Sequence, residues 1–89
     1  MITPEFTTTT VASSTPTPQQ VVHTMSWALQ VSPQRLLPYM NFVDDLHLDD
    51  LDMLLLVATL ENALDVYLTQ EQVTSIHTVA DMTRSFSPN

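Results

Sequence analysis

Glycine, cysteine and lysine are all missing from this chain of 89 residues. Without cysteine there is no disulfide to brace a small fold, no thiolate to hold a soft metal, and no trace of a redox compartment. Without glycine, an EF-hand loop is excluded, since its sharp turn requires one. Positive charge is almost absent as well: Arg35 and Arg84 stand against ten Asp and Glu, for a formal net charge of −8. Such a field repels phosphate backbones and anionic lipid surfaces, which argues against nucleic-acid and membrane partners. A basic protein surface is what it attracts. No apolar run approaches the ~20 residues of a membrane span. The N-terminus also lacks the basic-then-apolar order of a secretory signal, so a cytoplasmic protein is expected.

What is present suffices for one small domain. Hydrophobic residues make up 44% of the chain, and at this length a single core must supply nearly all the stability. Residues 1–18, "MITPEFTTTTVASSTPTP", are rich in Thr, Ser and Pro without apolar period and predict a disordered tail ahead of a domain at 19–87. Thr17 is suited to cap a helix and Pro18 to occupy its first position. Val21, Val22, Met25 and Leu29 follow at helical spacing, with Trp27 expected in the core beside them. Pro33 and Pro38 interrupt the chain. Residues 31–48 therefore read as a long connection that packs through Leu36, Leu37, Phe42, Val43 and Leu46.

The strongest helical signal is 50–64, "DLDMLLLVATLENAL". Asp49 is a good N-cap, and Asp50 and Asp52 put negative charge where the helix macrodipole favours it. Leu51, Leu54, Val57 (or Ala58) and Leu64 trace one face, while Met53, Leu55, Leu56 and Leu60 widen the apolar surface. A short turn near 69–74 and a last helix over about 78–86 complete the pattern. Met25, Met53 and Met82 read as core fillers. No segment alternates with period two, so an all-α bundle with one long connection is predicted.

The chemistry concentrates in "DDLHLDDLD", where Asp44, Asp45, Asp49, Asp50 and Asp52 place five carboxylates in nine positions. Hard cations take oxygen ligands, but the spacing is not that of a dedicated calcium loop. His47, near Asp45 and Asp49, reads as a solvent-facing loop residue. His23 and His77 lie on other segments and form no HxxxH pair, so no metal site is expected. The scattered Ser and Thr have no recognisable base arrangement, so no catalytic residues and no enzyme activity are expected.

Residues 29–82, "LQVSPQRLLPYMNFVDDLHLDDLDMLLLVATLENALDVYLTQEQVTSIHTVADM", resemble the acyl carrier protein family without needing a gap. "FVDDLHLDDLD" is similar to the family's Phe-x-x-Asp-Leu-Gly-x-Asp-Ser-Leu-Asp run. "LENALDVYL" resembles the segment leaving its second helix, and "IHTVADM" its Ile-x-Thr-Val-x-Asp-Leu approach to the last helix. The resemblance implies an acyl-carrier-like four-helix bundle with a long loop between the first two main helices. It also implies that Asp50 stands where the family's serine carries 4′-phosphopantetheine. A carboxylate has no hydroxyl to form that phosphodiester, so no cofactor is expected unless Asp50 replaces a native serine.

Further departures from the family pattern accompany this one. His47 stands at the family's glycine, Leu55 and Asn62 at positions that are often acidic, and Glu61 is retained. Leu55, beside Met53 and Leu56 and the acidic rim, implies an apolar contact surface. The expected function is thus a non-loading docking or regulatory module for fatty acid or polyketide-type enzymes. Its docking residues would be Asp49, Asp50, Leu51, Asp52, Leu55 and Glu61. Two alternatives stand beside it: a genuine carrier whose attachment serine was changed to Asp50, and a structural helical module that self-associates as a homodimer.

Overall fold

A computed structural model describes residues 15–88; residues 1–14, most of the expected tail, and Asn89 lie outside the described residues. Among the described residues the chain forms helices α1 (Pro18–Leu29), α2 (Asp50–Leu64), α3 (Gln70–Thr74) and α4 (Val79–Phe86), with one 3₁₀ turn at Pro33–Arg35. All four helices begin on the same device. The side chains of Thr17, Asp49, Thr69 and Thr78 each accept from the backbone N–H three residues on, and Gln20, Asp52, Gln72 and Asp81 reach back to the N–H of the cap. This reciprocal capping satisfies donors that a helix start otherwise leaves open.

α1 packs against both α2 and α4. The core between them holds Val21 and Met25 of α1, Leu56, Val57 and Leu60 of α2, and Val79, Met82 and Phe86 of α4. Burying each such side chain stabilises the fold by roughly 1.5–3 kcal/mol. The long connection between α1 and α2 is part of this core, because Leu36 and Phe42 are buried in it. It is also laced to the start of α4 through the backbone. Phe42 N–H donates to His77 O at 3.0 Å, Val79 N–H to Met40 O at 3.0 Å, and Ala80 N–H to Pro38 O at 2.9 Å. An isolated antiparallel bridge pairs Asn41 with Thr78 at the same place.

Three expectations about burial need correction. Trp27 is not in the core: it is 80% exposed. It follows Met25 by two residues, about 200° around the helix, so the pair cannot share a face. On α2 the expected Leu51–Leu54 stripe is the solvent side, with both residues more than three-fifths exposed. The buried stripe is Leu56, Val57 and Leu60, flanked by half-buried Met53 and Leu64. Within the long connection, Leu37 and Val43 are exposed while Leu36 and Phe42 are buried.

Candidate functional site

The acidic loop and the start of α2 form one continuous surface. The loop closes on itself around Asn41, whose side-chain carbonyl accepts from the N–H groups of Val43 and Asp44 at 2.8 and 2.9 Å. Asp45 folds back to accept from Asn41 N–H at 2.7 Å. At the helix start Asp49 accepts from Asp52 N–H at 2.8 Å, and Asp52 from Asp49 N–H at 3.1 Å. Three of the five clustered carboxylates are therefore engaged with backbone. Asp44 and Asp50 accept none of the hydrogen bonds found among the described residues.

Asp50 is the first residue of α2 and is exposed. Negative charge there interacts favourably with the helix macrodipole, which offsets part of the repulsion among the neighbouring carboxylates. Just before it, His47 has φ of 60°, in the left-handed region. Glycine adopts that conformation freely, whereas a side chain with Cβ is strained by it. The position that the resemblance matches to the family's glycine thus has a backbone suited to glycine while carrying an imidazole, and that imidazole is exposed.

Asp49, Asp50, Leu51 and Asp52 sit together at the head of α2, and Leu55 lies one turn further on. Leu51 is 62% and Leu55 58% exposed. Glu61 does not join them. It lies eleven residues beyond Asp50, about 16 Å along the helix axis. Its carboxylate accepts from Leu68 N–H at 2.9 Å and fastens the α2–α3 connection. Leu54, 65% exposed, belongs to the surface and was missed by the sequence reading, which placed it in the core. Spacing alone gives no signal for this, since Leu51 and Leu54 read as one stripe and the apolar residues of α2 surround the helix.

The prosthetic group that the resemblance implies does not fit the residues present. Residues 49–52 read Asp-Asp-Leu-Asp and contain no hydroxyl. The hydroxyl of Thr59, more than two turns away on α2, donates to Leu55 O at 2.8 Å. Among the described residues no group of three or more His, Asp or Glu is arranged to hold a metal ion. No described helix is long and apolar enough to cross a membrane.

No family model matches the sequence. The chain is similar to an acyl carrier protein of Syntrophobacter fumaroxidans, with 40% identity over 63 residues, covering 71% of this chain and 78% of that protein. Among solved structures it is similar to a candidate acyl carrier protein of Mycobacterium tuberculosis. The TM-score is 0.66 at 25% identity, over 76% of this chain and 90% of that one.

Proposed function

Because this chain belongs to the acyl carrier protein family, we propose that it is a carrier-like docking module that cannot take the prosthetic group. It binds enzymes that build acyl chains, in the cytoplasm, and does so without delivering cargo. The observation that carries this reading is Asp50. It is aligned by the resemblance with the family's attachment serine, it opens α2, and it has no hydroxyl to be joined to phosphopantetheine. Its carboxylate is also unengaged, unlike those of Asp49 and Asp52 on either side. A fixed negative charge at that position resembles the phosphate borne by loaded carriers. On this reading Asp50 lets the protein occupy a partner's site as a charge mimic.

The surface around Asp50 supports docking. Leu51, Leu54 and Leu55 expose apolar area on a helix that need not be apolar on that side, and the carboxylates rim it. Apolar patches with a charged rim are a feature of protein interfaces. Self-association through this face is disfavoured because two copies bring like charge together.

Loading followed by intact mass tests the reading. The protein and its Asp50→Ser variant are incubated with coenzyme A and a broad-specificity phosphopantetheinyl transferase. Modification of Asp50→Ser alone is the expected result, because one residue then separates a carrier surface from a loaded carrier. Modification of the unaltered chain would sink the proposal. Charge mimicry has its own check: if Asp50→Asn and Asp50→Ala hold a partner as tightly as Asp50 does, the charge contributes nothing.

The second reading, a genuine carrier whose serine was changed, draws on the 40% identity to a protein named for carrier activity. It predicts a serine at this position in the source gene.

A further inference from the structure

Trp27 is the one tryptophan in the chain, and it is 80% exposed on a helix that carries no Asp, Glu, Lys or Arg. It is not isolated. A cleft of about 180 Å³ between α1 and α2 is lined by Ala28, Leu29, Leu48 and Leu55, with Asp52 at one end and Thr59 at the other. A wider groove of about 670 Å³ continues from Ala28 and Thr59 to Trp27 and His23. The two adjoin at Ala28 and Thr59, and together they line the α1–α2 seam as a trough with Asp52 in one cleft and Trp27 in the other.

We infer that the docking surface at the head of α2 extends along this trough, and that it takes an amphipathic segment of a partner protein carrying arginine beside leucine-like side chains. The inference rests on the docking reading above and specifies its partner. Charge selects the occupant: a second copy of this chain would add −8 to −8, and an anionic lipid surface is repelled for the same reason. A cationic segment is attracted from a distance and then finds two different grips. Asp52, which lines the cleft, pairs with a basic group at one end. The exposed indole at the other end accepts a guanidinium on its face, which suits arginine better than lysine. Between them Leu55, Leu29 and Ala28 provide an apolar floor. Aromatic anchors are enriched among the residues that dominate interfaces, which gives an exposed tryptophan on neutral α1 a use that its missing core role does not.

The probe is a helical peptide of about 18 residues made of leucine and arginine on opposite faces, with a leucine–glutamate peptide as its control. Binding is followed by Trp27 emission and by amide shifts across α2, on the full chain. The expected result is saturable binding of the arginine peptide, with a blue shift of Trp27 emission together with shifts at Leu51 and Leu55. Trp27→Ala and Leu55→Ser should each weaken it about fivefold or more. Both residues are exposed, so neither change threatens folding. Shifts confined to α2, with Trp27 emission unmoved and Trp27→Ala binding as before, overturn the trough and leave docking on α2 standing. The absence of shifts on either helix overturns both readings. Equal binding of the glutamate peptide overturns the charge argument and with it the proposed occupant.

Discussion

At the scale of single residues, the chain's lack of glycine leaves a mark. Among the described residues, three with side chains occupy the left-handed region: Gln30 and Asp65 at the ends of α1 and α2, and His47 ahead of Asp50. The left-handed conformation costs a residue with Cβ about 1–2 kcal/mol, partly offset by the larger unfolded-state entropy of glycine. His47→Gly should therefore stabilise the protein by up to ~1 kcal/mol, and His47→Val should destabilise it by a similar amount. Chemical denaturation of the two variants checks this, and a destabilising His47→Gly would mean that the imidazole makes a stabilising contact.

Asp81 gives the second prediction at this scale. Its carboxylate accepts from the N–H groups of His77 and Thr78, each at 3.0 Å, and pairs with Arg84 at 2.7 Å. The backbone N–H of His77 does most to hold Asp81 below its ordinary value; partial burial opposes this, and Thr78 and then Arg84 add to the lowering. A depressed folded-state value means the contribution is fully present above the unfolded value of about 3.9. It is lost as the pH falls through the folded value. Asp81→Asn should be less stable than the parent near pH 7, and should lose less on acidification to about pH 3. Urea unfolding at both pH values is the measurement, and parallel losses in the two proteins would sink the argument. The effect matters beyond α4, because the same turn binds the long connection through His77 O and Thr78.

At the scale of elements, the start of α1 at Pro18 and both ends of α2 were legible, since caps and helix breakers act locally. The orientation of α2 was not. Leu51, Met53, Leu54, Leu55, Leu56, Val57, Leu60 and Leu64 surround the cylinder closely enough that several stripes satisfy the same spacing. Which stripe is buried depends on where α1 lies, and that is a tertiary fact. Trp27 was misplaced because bulk alone suggested burial, while small Ser26 takes the buried position next to Met25. The acidic site was readable as a cluster, but not which of its carboxylates were already held by backbone, because that requires the folded loop around Asn41.

The orientation of α2 is testable. Leu60 is fully buried and Leu54 faces solvent. Leu60→Ala should cost about 2–5 kcal/mol through lost burial and the cavity left behind. Leu54→Ala should stay within about 0.5 kcal/mol of the parent. Equal costs would show that the helix is rotated from the orientation described. The contrast also separates stability from docking, because Leu54→Ala should weaken partner binding while leaving the fold intact.

For the whole molecule, the decisive quantity is the imbalance of ten acidic residues against two arginines. Arg84 is already paired with Asp81, in a partly exposed ion pair of the kind that contributes little. The net field therefore opposes compaction while attracting a basic partner, and salt should act on these two effects in opposite directions. Above about 0.1 M ionic strength, exposed charges more than ~10 Å apart are largely screened. Raising sodium chloride from about 20 to about 500 mM should then relieve self-repulsion and raise the melting temperature. Each kcal/mol recovered corresponds to roughly 4–8 °C for a domain of this size. The same change should weaken docking of any cationic partner, mainly by slowing association. Asp44→Asn combined with Asp50→Asn removes the two carboxylates of the acidic cluster that accept no backbone bond, so it should flatten the salt dependence of melting without disturbing a cap. A melting temperature that falls with salt would mean that specific ion pairs hold the bundle together. The carboxylates would then serve the fold itself, and docking would need another explanation.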